Sequence, residues 1–200
     1  MKPVHYLISC VVIVQLSCKN EIVDYNHALS ACIPDTMFMM RETDTVAMPY
    51  LNIDCIIGAK LPSFSSVTMS DKKIDSSYFM GKVSVINFWF EGCQPCEAEM
   101  PGLNKLVEKY GSDAVNFLAI GRNSPKDITD FLLRKPFNFE HIAYGEPIIR
   151  GPFQSKWGYP VTIVADKDAK IIFAESGGIA DSTAVELIQK KLIPVIDRAL

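Results

Sequence analysis

Cys93 and Cys96 are separated only by Gln94-Pro95, and they follow an apolar run that stops at Glu91-Gly92. Two thiols at this spacing can form a redox couple, supply half of a metal clamp, or pack as two small apolar groups. The run Val83–Phe90 is β-branched and aromatic, is bounded by Gly81-Lys82 and Gly92, and predicts a strand buried on both faces. Beyond it Cys96, Met100, Leu103, Val107 and Tyr110 recur at helical steps until Gly111, a natural stop, and Pro101 is expected to bend the helix. Cys93 therefore falls at a strand-to-helix junction, where free N–H groups and the positive helix end stabilise a thiolate. The thiolate is the nucleophile, so the position itself creates reactivity. Pro95 fits the first helical turn at no hydrogen-bonding cost. Cys96, nearly a turn below, is within disulfide reach and expected to be less exposed. Cys93 is thus the expected attacking thiol and Cys96 the resolving one.

The metal reading is the weaker one. A structural zinc site needs four ligands, usually from two closely spaced pairs. Cys32 and Cys55 are far apart in sequence and belong to another arm, and His5, His27 and His141 form no ligand spacing. No metal and no organic cofactor is expected. Inert packing fits poorly as well, because function concentrates at the C-terminal edge of a sheet.

The elements that must position this pair follow from periodicity. Val115–Ile120 is a second apolar strand, so strand, helix and strand form a βαβ unit with parallel strands. Ser124-Pro125-Lys126-Asp127 opens another helix, with serine as cap and proline in the first turn, and Pro136 closes it. Val161–Ala165 and Ile171–Ala174 are short strands around Asp166–Lys170. Thr183–Glu186 has capping-box spacing and starts a final helix that is expected to end at Leu192, before Pro194. Leu61–Phe64 and Val67–Met69 are expected to form a short hairpin, with Asp71-Lys72-Lys73 at its turn. The order β-α-β-α-β-β-α predicts an α/β, thioredoxin-like three-layer sandwich. Its mixed central sheet has helices on both faces and an N-terminal β-hairpin extension, and the domain is expected to span residues 58–200.

Composition agrees with a globular domain plus some extra sequence: 200 residues, 48% hydrophobic and 22% charged. The formal net charge of −3 and the lack of a long basic run argue against a nucleic-acid partner. The first residues read differently. Lys2 is the only formal charge before Lys19, and Tyr6–Leu16 has the length of a signal-peptide core but is short for a membrane span. Leu16-Ser17-Cys18 resembles a bacterial lipoprotein signal, with residues 1–17 removed and Cys18 lipidated, although Gln15 stands where an aliphatic residue is usual. Leu7-Ile8-Ser9-Cys10 fits that motif better by letter but leaves almost no apolar run ahead of the cut. An ordinary cleaved signal or an uncleaved anchor is the alternative, and each reading places the domain outside the cytoplasm. Residues 18–57 then form a polar, irregular arm with methionines at 37, 39 and 40, which are expected as core filler. In an oxidising compartment Cys32 and Cys55 can pair within that arm, the alternative being two free thiols.

The segment NFWFEGCQPCEAEMP resembles the active site of the TlpA/ResA-like thiol–disulfide oxidoreductases, membrane-anchored relatives of thioredoxin that face outside the cytoplasm. The similarity takes in Leu61–Phe64, Gly81-Lys82-Val83, the CxPC pair, Glu99-Met100-Pro101, Trp157–Thr162 and Asp166-Lys167-Asp168. It implies that Pro160 is a cis-proline against the dithiol, that the backbone of Tyr159 pairs with an extended substrate, and that Glu99 is an acid kept near the cysteines. The implied partners are protein thiols and disulfides, an electron donor in the membrane, and the lipid bilayer through the N-terminal anchor. Three positions depart from the family pattern: Gly92 stands where tryptophan is usual, Tyr159 is bulky, and Ala169 replaces a hairpin glycine. With neutral Gln94-Pro95 between the cysteines and Glu91, Glu97 and Glu99 around them, a destabilised thiolate would make the couple reducing. The rival readings are a thiol peroxidase of related fold and a non-catalytic surface lipoprotein that binds a partner through this domain.

Overall fold

The computed structural model describes residues 23–41 and 44–200. The expected signal segment 1–17, Cys10 and the lipidation candidate Cys18 lie outside the described residues, as do the side chains of Met37, Met39 and Met40. Among the described residues no helix is long and apolar enough to cross a membrane.

Five strands form the central sheet: β5 (Val83–Trp89), β6 (Val115–Gly121), β7 (Glu140–Ile142), β8 (Val161–Ala165) and β9 (Ile171–Ser176), in the order β7-β6-β5-β8-β9. β5, β6 and β7 are mutually parallel, β8 runs antiparallel to β5, and β9 pairs antiparallel with β8 and so follows the direction of the first three. Every residue of β5, β6 and β8 is buried, as their continuous apolar runs require. One face carries α2 (Gln94–Ala114), α3 (Pro125–Arg134) and α5 (Ala184–Ala199), which bury Met100, Leu103, Phe131, Ile188 and Leu192 against Val85, Phe117 and Val164. The other face is covered by Phe153, Trp157 and Ile149 of α4 (Glu146–Arg150), together with the N-terminal segment. This is the mixed, two-faced sandwich that the sequence predicts, with one βα unit more. β7 and α4 are absent from the predicted order because a three-residue edge strand and a five-residue helix carry no periodic signal.

Residues 19 to about 57, expected to be irregular, hold several regular elements among the described residues. They contain α1 (Tyr25–Ser30), a β1–β2 hairpin (Pro34–Arg41 with Asp44–Leu51) and a 3-10 turn over Ile53–Ile56. A disulfide joins Cys32 to Cys55, with Cα atoms 5.3 Å apart, at the root of that hairpin. Tyr25, Ala28, Ile53 and Ile56 pack into the core of the sheet, and the Tyr25 hydroxyl donates to the Phe153 carbonyl at 2.9 Å. The second hairpin pairs β3 (Ser66–Val67) with β4 (Lys73–Ile74), so Leu61–Phe64 is not one of its strands. Asp71 sits at its turn with φ +63°.

Two helix ends differ from expectation. Thr183 makes no side-chain cap; it has helical backbone angles, and its amide and hydroxyl both donate to Asp181 Oδ1 instead. The helix also continues through Pro194 to Ala199. Pro194 and Lys190 are both on the exposed side, so the carbonyl left without a donor faces water. Gly111, with φ +69°, breaks α2 near its end as the sequence predicts.

Candidate functional site

Cys93 is the N-cap of α2, at the C-terminal end of the buried central strand. Its sulfur accepts a hydrogen bond from the Cys96 amide at 3.3 Å, and Pro95 lies in the first turn, where no donor is lost. The two cysteines form a disulfide with Cα atoms 5.3 Å apart. Both are largely buried, Cys93 keeping 5% of its surface and Cys96 1%, which leaves Cys93 the more accessible residue of the two. The turn before them depends on Gly92, whose φ of +89° suits a residue without Cβ and whose amide donates to Glu97 Oε1 at 2.9 Å.

Glu99 lies one helical turn after Cys96 and is 5% exposed. Asn87 Nδ2 donates to Glu99 Oε1 and to Thr162 Oγ1, each at 3.0 Å. Asn87 and Thr162 are direct partners across β5 and β8, so the sheet register sets this contact. Burial, opposed by the Asn87 hydrogen bond and the Lys191 charge and aided by the Glu175 charge, leaves the Glu99 carboxyl raised to about 8. Glu99 is therefore mostly protonated at neutral pH.

The other two acids are not free charges either. Glu91 is paired with Arg134 at 2.6 Å and Glu97 with Lys135 at 2.6 Å. Burial raises the Glu97 carboxyl, but hydrogen bonds from Lys135 and the Gly92 amide outweigh it and hold the group below the usual carboxylate range. The expected ring of negative potential around the dithiol is thus corrected to two neutralised pairs and one protonated acid. Arg134 and Lys135 reach the site from the end of α3, a contact that no local pattern announces.

Phe88 faces Val161 across β5 and β8, so Tyr159-Pro160 enters the sheet beside the end of the strand that leads to the cysteines. The Tyr159–Pro160 peptide is cis. A Cβ placed on Gly178 would lie 3.3 Å from Pro160 Cγ and Cδ and 3.4 Å from Pro95 Cβ, which puts the two prolines on one small patch. The Tyr159 ring meets Phe90 edge-to-face at 5.2 Å. Arg122 covers both rings, at 5.5 Å and 5.6 Å, and pairs with Glu146 at 2.7 Å. Ala169 takes φ +59° without glycine's help, because Asp166 Oδ1 accepts from the amides of Asp168 and Lys170 and shapes the turn.

The structure brings Cys93, Cys96, Glu99, Tyr159 and Pro160 to one edge of the sheet, with Cys32 and Cys55 in the N-terminal segment. Sequence reading missed Asn87, whose signal was a lone polar side chain inside the run VSVINFWF, and it missed Glu175 and Lys191, which carry no local signal. Among the described residues no cluster of three or more His, Cys, Asp or Glu side chains is placed to hold a metal ion.

Residues 57–174 match the AhpC/TSA family. A thiol–disulfide oxidoreductase ResA from Bacillus thuringiensis subsp. konkukian is 32% identical over 142 residues, covering 69% of this chain and 79% of the relative. The thioredoxin-like protein YneN of Bacillus subtilis is 30% identical over 118 residues, covering 57% of this chain and 68% of its own length. Among solved structures, a putative thiol:disulfide interchange protein DsbE from Chlorobium tepidum superposes with a TM-score of 0.58 at 20% identity. That superposition covers 68% of this chain and 95% of that one, and it bears on the fold alone. By its central sheet, its cysteine-capped helix and these matches, the chain belongs to the ResA-like branch of the AhpC/TSA family, within the thioredoxin superfamily.

Proposed function

We propose that this protein is an extracytoplasmic, membrane-anchored thiol–disulfide oxidoreductase that reduces disulfides in other proteins through Cys93 and Cys96. The observation that carries the reading is the Cys93–Cys96 bond capping a helix at the edge of the sheet, the more exposed cysteine coming first. In the reduced protein the Cys93 thiolate attacks a substrate disulfide. One S–S bond forms to Cys93, the substrate bond breaks, and one substrate sulfur leaves as a thiolate that takes a proton from water. Cys96 then attacks Cys93: its proton passes to the ionised fraction of Glu99, the internal disulfide forms, and the second substrate sulfur departs as a thiolate. Two electrons have moved from the dithiol to the substrate, and a donor in the membrane restores them. Pro160 and the backbone of Tyr159 are the proposed surface for an extended substrate segment, supported by their place beside Pro95.

The name of the ResA relative, a thiol–disulfide oxidoreductase, supports the reaction class. The apolar run Tyr6–Leu16 ahead of Cys18 supports the anchored, extracytoplasmic placement, with an N-terminal arm at 18–57 and the catalytic domain from 58 onward. The reducing direction is supported by the engagement of Arg134 and Lys135 with Glu91 and Glu97, which keeps their charge from adding to the thiolate stabilisation that the helix end gives Cys93. Its potential should accordingly lie nearer the thioredoxin value of about −270 mV than the value of about −120 mV of a strong oxidant. Equilibration with glutathione or dithiothreitol buffers measures it, and a value near the oxidant end would reverse the proposed electron flow. Trapping with Cys96→Ser should leave partner proteins bonded to Cys93. A Cys93→Ser variant that retains insulin-reducing activity would refute the reading outright.

A further inference from the structure

The Glu99 carboxyl lines the inner end of a narrow cleft between α2, α5 and the end of β9, whose walls include Gly178, Ile179, Leu187 and Ile188. At the outer end Glu175 and Lys191 form an ion pair, each side chain about one-third exposed (32% and 34%). The groups that act on the carboxyl are Asn87 on β5, with Thr162 on β8 behind it, Glu175 on β9 and Lys191 on α5. Gly178, part of the cleft wall, is also the position at which a Cβ would meet Pro95 and Pro160. The cleft therefore joins the redox edge of the sheet to solvent at a point separate from the Cys93 sulfur.

We propose that Glu175 and Lys191 are a pair of positioning residues that set the protonation of Glu99 from the solvent end of this cleft. The inference rests on the proton-accepting role given above to Glu99. Its physical basis is that two opposite charges act across a narrow cleft walled mostly by apolar side chains on one buried acid, where screening by water and salt is weaker than in bulk. Glu175 opposes ionisation of Glu99 and Lys191 favours it. While the two stay bonded to each other their effects largely cancel. Loss of either partner releases the field of the other.

The test uses two variants with opposite expectations. Glu175→Gln leaves Lys191 unopposed, so Glu99 should ionise at lower pH. Lys191→Met leaves Glu175 unopposed, so Glu99 should hold its proton to higher pH. The readout is the carboxyl carbon of Glu99 followed by NMR from pH 5 to pH 10 in the full-length oxidised protein, beside the pH profile of disulfide reduction with insulin. The expected order of midpoints is Glu175→Gln, then the parent, then Lys191→Met, each step being about half a pH unit or more, a threefold change in proton affinity. Midpoints that coincide, or that move the same way in both variants, overturn the proposal. If Lys191→Met does not fold, Glu175→Gln alone decides, because a structural role for the pair gives no reason for a downward shift. Glu99→Gln separates the two readings: an unchanged reduction profile there removes Glu99 from the reaction, while the midpoints still judge the pair.

Discussion

The side-chain nitrogen of Asn87 lies 3.0 Å from Glu99 Oε1, tying the central strand to the helix that carries both cysteines. The same nitrogen donates to Thr162, the cross-strand neighbour of Asn87, so one buried amide connects β5, β8 and α2. Truncation to Asn87→Ala leaves a buried carboxyl and a hydroxyl without their donor. The expected loss is about 2–3 kcal/mol of unfolding free energy. Urea denaturation at neutral pH measures it, and a change below about 0.5 kcal/mol would mean that the contact contributes little.

Glu99 gives stability an unusual pH dependence. Its folded value of about 8 lies above the ordinary carboxyl value of 4.5 expected for the unfolded chain, so between those values the folded state holds the extra proton. The stabilising contribution is complete below the unfolded value and is lost as pH rises through the folded one. Glu97, held low by Lys135, titrates in a separate and more acidic window. Parent and Glu99→Gln should therefore match near pH 4.5, and the variant should be the more stable at pH 9, by roughly 2 kcal/mol or more. Guanidinium unfolding at several pH values gives the difference, and parallel curves for the two proteins would show that Glu99 is not a buried neutral acid.

The Cys32–Cys55 disulfide, at a sequence separation of 23, closes the chain around the β1–β2 hairpin. Removing such a loop constraint costs about 3 kcal/mol on the chain-entropy account. The bond lies in the N-terminal segment, away from the edge of the sheet that holds Cys93. The double variant Cys32→Ser/Cys55→Ser is thus expected to melt earlier while reducing insulin at close to the parent rate below its transition. A large loss of rate in the folded variant would tie the arm to the chemistry.

The parts of the fold that were legible are those with a long period or a local rule. Val83–Trp89 and Val115–Gly121 announce themselves as buried strands, and the step of Cys96, Met100 and Leu103 announces the helix. β7 was illegible because an edge strand of three residues shows neither alternation nor a run. The β1–β2 hairpin was hidden because the sequence between its strands is Glu-Thr, with none of the glycine or asparagine that marks a tight turn. At the site, local reasoning found the sulfurs and the acid but misjudged the charges. Arg134 and Lys135 come from about forty residues downstream, and whether they reach Glu91 and Glu97 is decided by how α3 packs.

Gly92 tests whether the chain's departure from the family pattern is a backbone requirement. At φ +89° a Cβ strains the chain at Gly92 whatever lies around it, and the space beside it is open. The Gly92 amide also holds Glu97 against the start of α2, so relaxation of the turn would move the residue next to Cys93. Gly92→Trp, which restores the residue usual in relatives, should cost about 1–2 kcal/mol, and Gly92→Ala nearly as much, because the strain arises at Cβ and not from ring size. Both should also slow insulin reduction, since the first cysteine loses its fixed position. Denaturation and rate measurements on the pair separate the causes: a destabilised Trp variant beside an Ala variant equal to the parent would assign the cost to bulk instead of backbone.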